Sequence, residues 1–587
     1  MRYTPYTFLK NWEIKVLMFF QREAGMRAGL LFFMNRLILI VILSTIVVSC
    51  KKKAGVGQPA DNTFSVLSVQ IDGSSATSPT SVSRRPLIRV RFSAPVDPTT
   101  TGNNIHLTDM GSGGLAPLTA GNLQNNDSIL EIQPSIALQG LARYSLSIAT
   151  GLRSRQTMAL SASFSRSFVT TIDSTDKFSR ISDSVLLDLV QSQTLKYFWD
   201  FGHPVSGMAR ERSTSGDVVT TGGTGFGVMA MIAGINRNFI SRAQGLSRIA
   251  QIVAFLSGKT THYHGAFAHW INGASGVTVP FSTQDDGGDI VETSYLMQGL
   301  LTARQYFNST TDNAEIQLRN DINNLWNAVD YSWYRQGGKN ILYWNWSPDY
   351  DWAVNVPVRG WNEALITYVL AASAATNPIP KLTYDSGWAG NGSISNGNIY
   401  YGVRLTLGLP QGGPLFFSHY SFLGLDPHGL QDKYADYWTQ DTAHTRINYT
   451  YCVANPQGFN GYSRDCWGLT ASDDNASGYA AHSPANDLGV IAPTAAVSSI
   501  PYATDASMRA IRFFYYTLGD KLWGPYGFKD AFNLTNPWFD ADYLAIDQGP
   551  QVVMIENYRS GLLWNLFMSC PEVQAGLKNL GFSSPHF

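Results

Sequence analysis

Charge is scarce in this chain. Only 14% of its 587 residues are Asp, Glu, Lys or Arg, and the formal net charge is −1. There is no long basic run, so a nucleic-acid partner is not expected. Cysteine is scarcer still, with 4 residues. No Cys/His spacing suggests zinc, no cofactor is expected, and no residue is assigned to a metal. Long hydrophobic runs are missing except for LILIVILSTIVV (37–48). That run is short for a membrane span and has the length of a signal-peptide core. No fixed period of about 30–45 residues recurs, which argues against a solenoid.

Aromatics are abundant: 15 Trp, 28 Tyr and 30 Phe. Many lie among Gly, Asn, Asp and Pro, as in LYWNWSPDYDW (342–352) and NPWFDADY (536–543). Aromatic loops rimmed by polar groups suit flat, hydroxyl-rich ligands, although surface aromatics are common in any large domain. The length predicts more than one domain, each able to bury a core.

After the apolar run comes Val47-Val48-Ser49-Cys50, which resembles the bacterial lipobox. By that resemblance residues 1–49 are a signal peptide, and the compact positive segment Met34-Asn35-Arg36 points to a translation start at Met34 or Met26. Cys50 is then the lipidated residue, and 50–61 form a tether. The expected location is an exported lipoprotein, periplasmic or at the cell surface, attached to membrane only through its lipid. A transmembrane anchor is the alternative. In an oxidising compartment Cys452 and Cys466 are close enough in sequence for a disulfide, and Cys570 reads as a buried thiol.

From 62 to 172 the hydrophobic period is two. In LIRVRF (87–92), Ile88, Val90 and Phe92 point one way and Arg89 and Arg91 the other. SILEI (128–132) and YSLSI (144–148) repeat the alternation between turn-rich segments. This predicts a β-sandwich, and RVRFSAPVDPTT resembles bacterial Ig-like modules. From 178 to 587 the period becomes helical. Helices are predicted near 182–201, 222–236, 241–257, 289–307, 313–332, 360–375, 430–453, 504–518 and 549–568. The expected fold is therefore multidomain: an Ig-like β-sandwich followed by an all-α (α/α)6 toroid.

The sharpest local signal is QDDGGDIVETSYLMQGL (284–300), with Asp285, Asp286, Asp289 and Glu292 within eight positions. Helix starts favour acids, and Asp is a good N-cap, which accounts for Asp289 and Glu292 one at a time. Two further acids just outside repel them, so a cation, an arginine, a ligand or a bound proton must compensate. Glu363 in VRGWNEALITYVLAAS (358–373) is read in the first turn of another helix, beside Arg359 and Trp361. Glu556, near Arg559, reads as a structural helix charge.

Several blocks, in order, resemble the bacterial "glycoamylase" domain family. They include GMARER (207–212), TTGGTGFGVMAM (220–231), DDGGDIVETSYLMQGLL, PVRGWNEALITYVLA, GPLFFSHYSFLGLD (413–426) and DQGPQVVMIENYRSGLLW (547–564). The resemblance implies an (α/α)6 toroid and inverting hydrolysis of β-1,2-glucan to sophorose and related oligosaccharides. It implies Glu363 as general acid, with Asp285, Asp289 or Glu292 supplying the base. Arg210, Trp361, His419, Tyr420 and Asp426 become expected glycan contacts. Glu363 must then be kept protonated by burial or by neighbouring acids, with Arg359 directed away from it. Asp285 and Asp289 have two other readings, as acceptors for sugar hydroxyls or as ligands of Ca²⁺. An exo-acting enzyme of the family and a non-catalytic surface glycan-binding lipoprotein are the rival functions. A monomer is expected.

Overall fold

The computed structural model describes residues 63–587. The expected signal peptide, Cys50 and the tether lie outside the described residues. Among the described residues no helix is long and apolar enough to cross a membrane.

The N-terminal part is two four-stranded antiparallel sheets. One has the order β1 (Val66–Ile71), β2 (Ile88–Phe92), β6 (Ile129–Ile132), β5 (Asn122–Gln124); the other has β4 (Leu115–Ala116), β3 (Ile105–Asp109), β7 (Arg143–Ile148), β8 (Phe164–Val169). Strand β2 alternates as read: Ile88, Val90 and Phe92 are buried, Arg89 and Arg91 exposed. Ile88, Val90 and Phe92 share one core with Leu107, Leu146, Ile148 and Phe168 of the other sheet. Two sheets with their apolar faces together make the sandwich that the period-two pattern requires.

The remainder is mainly helical. Ser182, Asp289, Asp312 and Asp436 cap helices Asp183–Trp199, Ile290–Tyr306, Asn313–Ala328 and Tyr437–Ala454 through side-chain oxygens. Helices Thr221–Asn236 and Leu365–Ser373 are buried almost all round, whereas Arg242–Lys259 and Asn313–Ala328 bury one stripe. Inner helices are thus apolar on every side and outer ones amphipathic. Thr221–Asn236 packs on Ile290–Tyr306 and on Ala545–Ser560. Glycine permits the first contact: a Cβ at Gly225 would lie 2.1 Å from the Tyr295 carbonyl oxygen, and one at Gly299 2.2 Å from that of Gly225.

The helices depart from the periodicity in several places, among them the one expected from 430, which begins at Tyr437 after the cap Asp436. The helix expected from 360 begins at Leu365, so Glu363 stands in the turn before it. The run 549–568 is two helices, Ala545–Ser560 and Leu562–Met568, divided at Gly561 with φ of 67°, a left-handed residue that ends a helix. Helix Pro571–Leu580 was not expected. Cys452 and Cys466 are free buried thiols, not a disulfide. Both lie in the apolar core with Trp467 and Leu469, and burial pushes both thiols upward.

Candidate active site

The acid group is built where two helix starts meet. Asp289 caps Ile290–Tyr306: one carboxylate oxygen accepts from the Val291 and Glu292 amides, each at 2.9 Å. Its other oxygen meets His269 Nδ1 at 2.9 Å. Glu292, one turn on, turns to the neighbouring helix. Its Oε2 accepts from the Gly222 amide at 2.7 Å, in the first turn of Thr221–Asn236, and from Thr220 Oγ1 at 3.4 Å. Free amides at a helix N-terminus favour a carboxylate. A Cβ at position 222 would fall 2.5 Å from Glu292 Oε2, so glycine is what lets the acid approach.

Short strands complete the frame. Trp270–Asn272 pairs with Val218–Thr220, which fixes His269 beside the start of Thr221–Asn236. Gly288–Asp289 pairs with Asn345–Trp346, and Asn345 Nδ2 donates to Asp285 at 2.9 Å. Asp286 lies further out and accepts from Ser347 at 2.5 Å.

His269 supplies the cation that the acid cluster demands. Burial works against the charged ring, but Glu292, Asp289 and Asp285 hold its pKa up at about 9. The ring packs on Phe281 at 4.5 Å and against the edge of Trp270. Burial raises Glu292, with His269 opposing and Asp289 adding to the rise. Glu363 is raised to about 7, first by burial and then by the charges of Glu292 and Asp289. Its own backbone amide opposes the shift, and its carbonyl accepts from the Ser421 hydroxyl. Arg359 is exposed and forms no salt bridge with Glu363. The structure thus brings Asp285, Asp289, Glu292 and Glu363 into one electrostatic group.

Two tyrosines border that group. Glu363, Glu292 and Asp289 all act on the buried phenol of Tyr295, whose hydroxyl has no hydrogen-bond partner. Tyr420 packs edge-on to Tyr295 at 5.8 Å and feels both Glu363 and Asp547. Asp547 stands in the first turn of Ala545–Ser560, buried. It leads to a second acid group, Asp473, Asp530 and Asp540, with Arg212 and Glu211 alongside.

Four expected glycan contacts have other work. Arg210 donates to the Phe201 carbonyl at 3.2 Å and that of Gly216 at 2.5 Å, holding a loop. Trp361 is 3% exposed and packs on Tyr437 and Phe422 in the core, so it presents no face to a ligand. His419 is 1% exposed, bonded to Ser499 and stacked on Tyr502, and burial lowers it to about 3. Asp426 binds His428 and His586, at 2.7 and 2.8 Å. Only Tyr420 of that set borders the acids. Glu556 is structural as read, but its partner is Arg237 at 2.6 Å; Arg559 pairs with Asp188. His269 and Tyr295 carry no spacing signal in AHW and TSY, and Asp547, which opens the block 547–564 ahead of Glu556, has no role assigned to it by the sequence.

Residues 355–571 match the glycoamylase family, described as "Putative glucoamylase", and residues 67–170 match the bacterial Ig-like domain family. An exo β-1,2-glucooligosaccharide sophorohydrolase (non-reducing end) of Parabacteroides distasonis is 48% identical over 422 residues, or 68% of this chain. The match spans 58% of that curated relative's length, less than two thirds. The endo-β-1,2-glucanase of Chitinophaga pinensis, solved with sophorotriose and glucose, is 53% identical, with a TM-score of 0.68; the match covers 70% of this chain and all (100%) of that one. A β-1,2-glucanase structure from Parabacteroides distasonis is 38% identical, with a TM-score of 0.67; that match covers 89% of this chain and 73% of that one. At these identities and coverages the chain belongs to the glycoamylase-domain family of glycoside hydrolases, with a bacterial Ig-like domain ahead of its helical part.

Proposed function

We propose that this protein hydrolyses β-1,2-glucan to sophorose and sophorooligosaccharides, with Glu363 as general acid. One observation carries the reading: a carboxyl held near pKa 7 by burial stands beside acids compensated by His269 and two helix starts. Carboxyl groups whose environments push their ionisations apart can serve as acid and base at one pH. Relatives acting on β-1,2-glucan supply the substrate class.

Glu363 protonates the leaving glycosidic oxygen. In the inverting scheme a carboxylate about 6.5–9.5 Å away activates water on the other face of the sugar. Asp289 is ill suited to that step, since both its oxygens are held by amides and His269. Asp285 and Glu292 remain from the cluster, and Asp547 stands across Tyr420.

The domain is read as an (α/α)6 toroid. Supporting this, the inner segments Thr221–Asn236, Ile290–Tyr306, Leu365–Ser373 and Ser421–Leu423 pack in succession, as do Pro493–Val497, Ala545–Ser560 and Thr221–Asn236 again. The Ig-like domain is read as a spacer, and the lipobox-like segment as the anchor of a monomeric, exported lipoprotein.

The test is incubation of the purified protein with β-1,2-glucan alongside β-1,3-, β-1,4- and α-1,4-glucans, following product sizes. Mixed short products early, from β-1,2-glucan alone, identify endo action. Sophorose alone from the start identifies exo action. Binding without cleavage of any glucan overturns the proposal in favour of a glycan-binding protein.

A further inference from the structure

The aromatic loop LYWNWSPDYDW (342–352) is built directly against the acid stretch. Its strand Asn345–Trp346 pairs with Gly288–Asp289, Trp346 opposite Gly288 and Asn345 opposite Asp289. Neighbouring residues of a strand face opposite ways. Asn345 turns to Asp285, at 2.9 Å. Trp346 turns to an aromatic cluster, edge-on to His264 at 4.8 Å and to Trp333 at 5.9 Å. The two glycines ahead of Asp289 permit this approach. A Cβ at Gly287 would lie 2.2 Å from the Trp346 carbonyl oxygen, and one at Gly288 2.1 Å from the Tyr334 hydroxyl.

Trp333 is the open member of the cluster. Its indole lies on the His264 ring, with centroids 3.6 Å and planes 14° apart, yet the residue is 38% exposed. Both rings are held from the backbone. The Asp330 carboxylate accepts from the Ser332 and Trp333 amides at 3.0 and 3.2 Å, at the start of the turn Trp333–Arg335. The Asp330 amide donates to the His264 carbonyl at 2.9 Å. His264 has φ of 53°, a left-handed conformation that costs energy in any residue with a Cβ and persists where the surroundings enforce it. Here it sets an imidazole behind one face of an indole that still meets solvent.

This arrangement has the properties of a sugar-binding surface. An indole backed by a fixed ring has little freedom left to lose when a ligand lies on it. Its face is electron-rich, which suits the C–H side of a pyranose ring. Polar groups for hydroxyls stand alongside. Ser347 donates to Asp286 at 2.5 Å and accepts from the Asp349 and Tyr350 amides, and Tyr350 is 44% exposed. The surface is also continuous with the acid group, because one strand pair carries Asp289 and Asn345 on one side and Trp346 on the other.

We propose that Trp333, supported by His264 and Trp346, is a stacking platform for a glucosyl unit remote from the bond being cut, and thereby a determinant of chain-length preference. The inference rests on the glucan-cleaving reading above and adds a residue outside the acid group to it.

The test uses the full protein and its Trp333→Ala and Trp333→Phe variants. Tyr558→Ala, at a 42% exposed tyrosine in the last turn of Ala545–Ser560, is the control. The substrates are long β-1,2-glucan and sophorotriose. Trp333→Ala is expected to raise KM on long glucan about tenfold with little change in kcat, and to lose less on sophorotriose. Trp333→Phe recovers most of the loss, and Tyr558→Ala matches the wild type. Trp333→Leu, which keeps apolar cover over His264 without a flat ring, gives the same comparison if Trp333→Ala does not fold. Equal losses on the two substrates, a fall in kcat at unchanged KM, or wild-type kinetics in the variants overturn the proposal. Binding of long glucan, measured by calorimetry in a Glu363→Gln background, separates the platform from the reading beneath it. Binding without cleavage by the wild type overturns the glucanase reading alone; about tenfold weaker binding after Trp333→Ala then supports the platform, and equal binding overturns it. A wild-type protein that neither cleaves nor binds the glucan overturns both.

Discussion

His269 Nδ1 lies 2.9 Å from Asp289 Oδ2. This pair reconciles the buried acids Asp285, Asp289 and Glu292 with one another, because the ring carries the positive charge and Asp289 fixes its orientation. Replacing the ring, His269→Gln, removes the charge that opposes the rise in Glu292. If Glu292 or a neighbour must be ionised for activity, the acidic limb of the kcat/KM profile moves to higher pH. An unchanged limb would show that the base lies outside this group.

The same pair makes a signed contribution to stability. The pKa of His269 rises from its ordinary 6.5 to about 9 in the fold. A raised cation stabilises fully below the unfolded value and loses its contribution as pH climbs through the folded one. The melting-temperature gap between wild type and His269→Gln is therefore largest below pH 6.5 and shrinks through about pH 9, as read by calorimetry across that range.

Glu363 is expected to set the alkaline limb of the wild-type profile near pH 7. Activity falls above that limb because the acid has lost its proton. Glu363→Gln should lower kcat on glucan by about 10²–10⁴-fold. An aryl sophoroside, whose leaving group needs no proton, should be far less affected. Equal losses on both substrates would argue against the acid role.

Gly222 is expected to act as a positioning residue. Its amide holds Glu292, and a Cβ there would also meet Tyr295 at 2.8 Å. Gly222→Ala should lower kcat and displace the pH profile, whereas Gly258→Ala, where nothing lies within 4 Å, should leave both unchanged.

Tyr295 presents a buried hydroxyl without a partner beside Glu363. Such a group costs roughly 1–3 kcal/mol in a fold, so Tyr295→Phe should not lower the melting temperature. A fall in kcat at unchanged stability would place that hydroxyl against the substrate. By contrast, Trp361→Ala should cost about 3–5 kcal/mol of stability through the cavity it leaves. Its conservative change, Trp361→Phe, should leave KM unchanged, because the indole faces the core.

Much was legible because it rests on local chemistry. Period-two alternation in LIRVRF can bury only one face of a strand, and β2 buries that face. Asp289 ahead of an apolar helical run could be read as a cap, and it is one. What stayed hidden depended on which loops meet. His269 is 20 residues from Asp289, and Asp547 reaches Asp530 through the packing of a helix end on a loop. Trp361 and His419 are expected as ligand contacts only through the resemblance of their blocks to the family. Which way each side chain points is decided by its surroundings: for these two, the core is where the packing is complete.

The sequence by itself determined the order of architectures, a sandwich and then helices, because hydrophobic period is a property of consecutive residues. It also determined that the acids between 285 and 292 required compensation, because like charges so near cannot all be buried unaided. Only the tertiary structure decided what compensates them. A histidine from a neighbouring hairpin and the amides of a second helix converge there, and such convergence depends on distances in space that residue spacing does not encode.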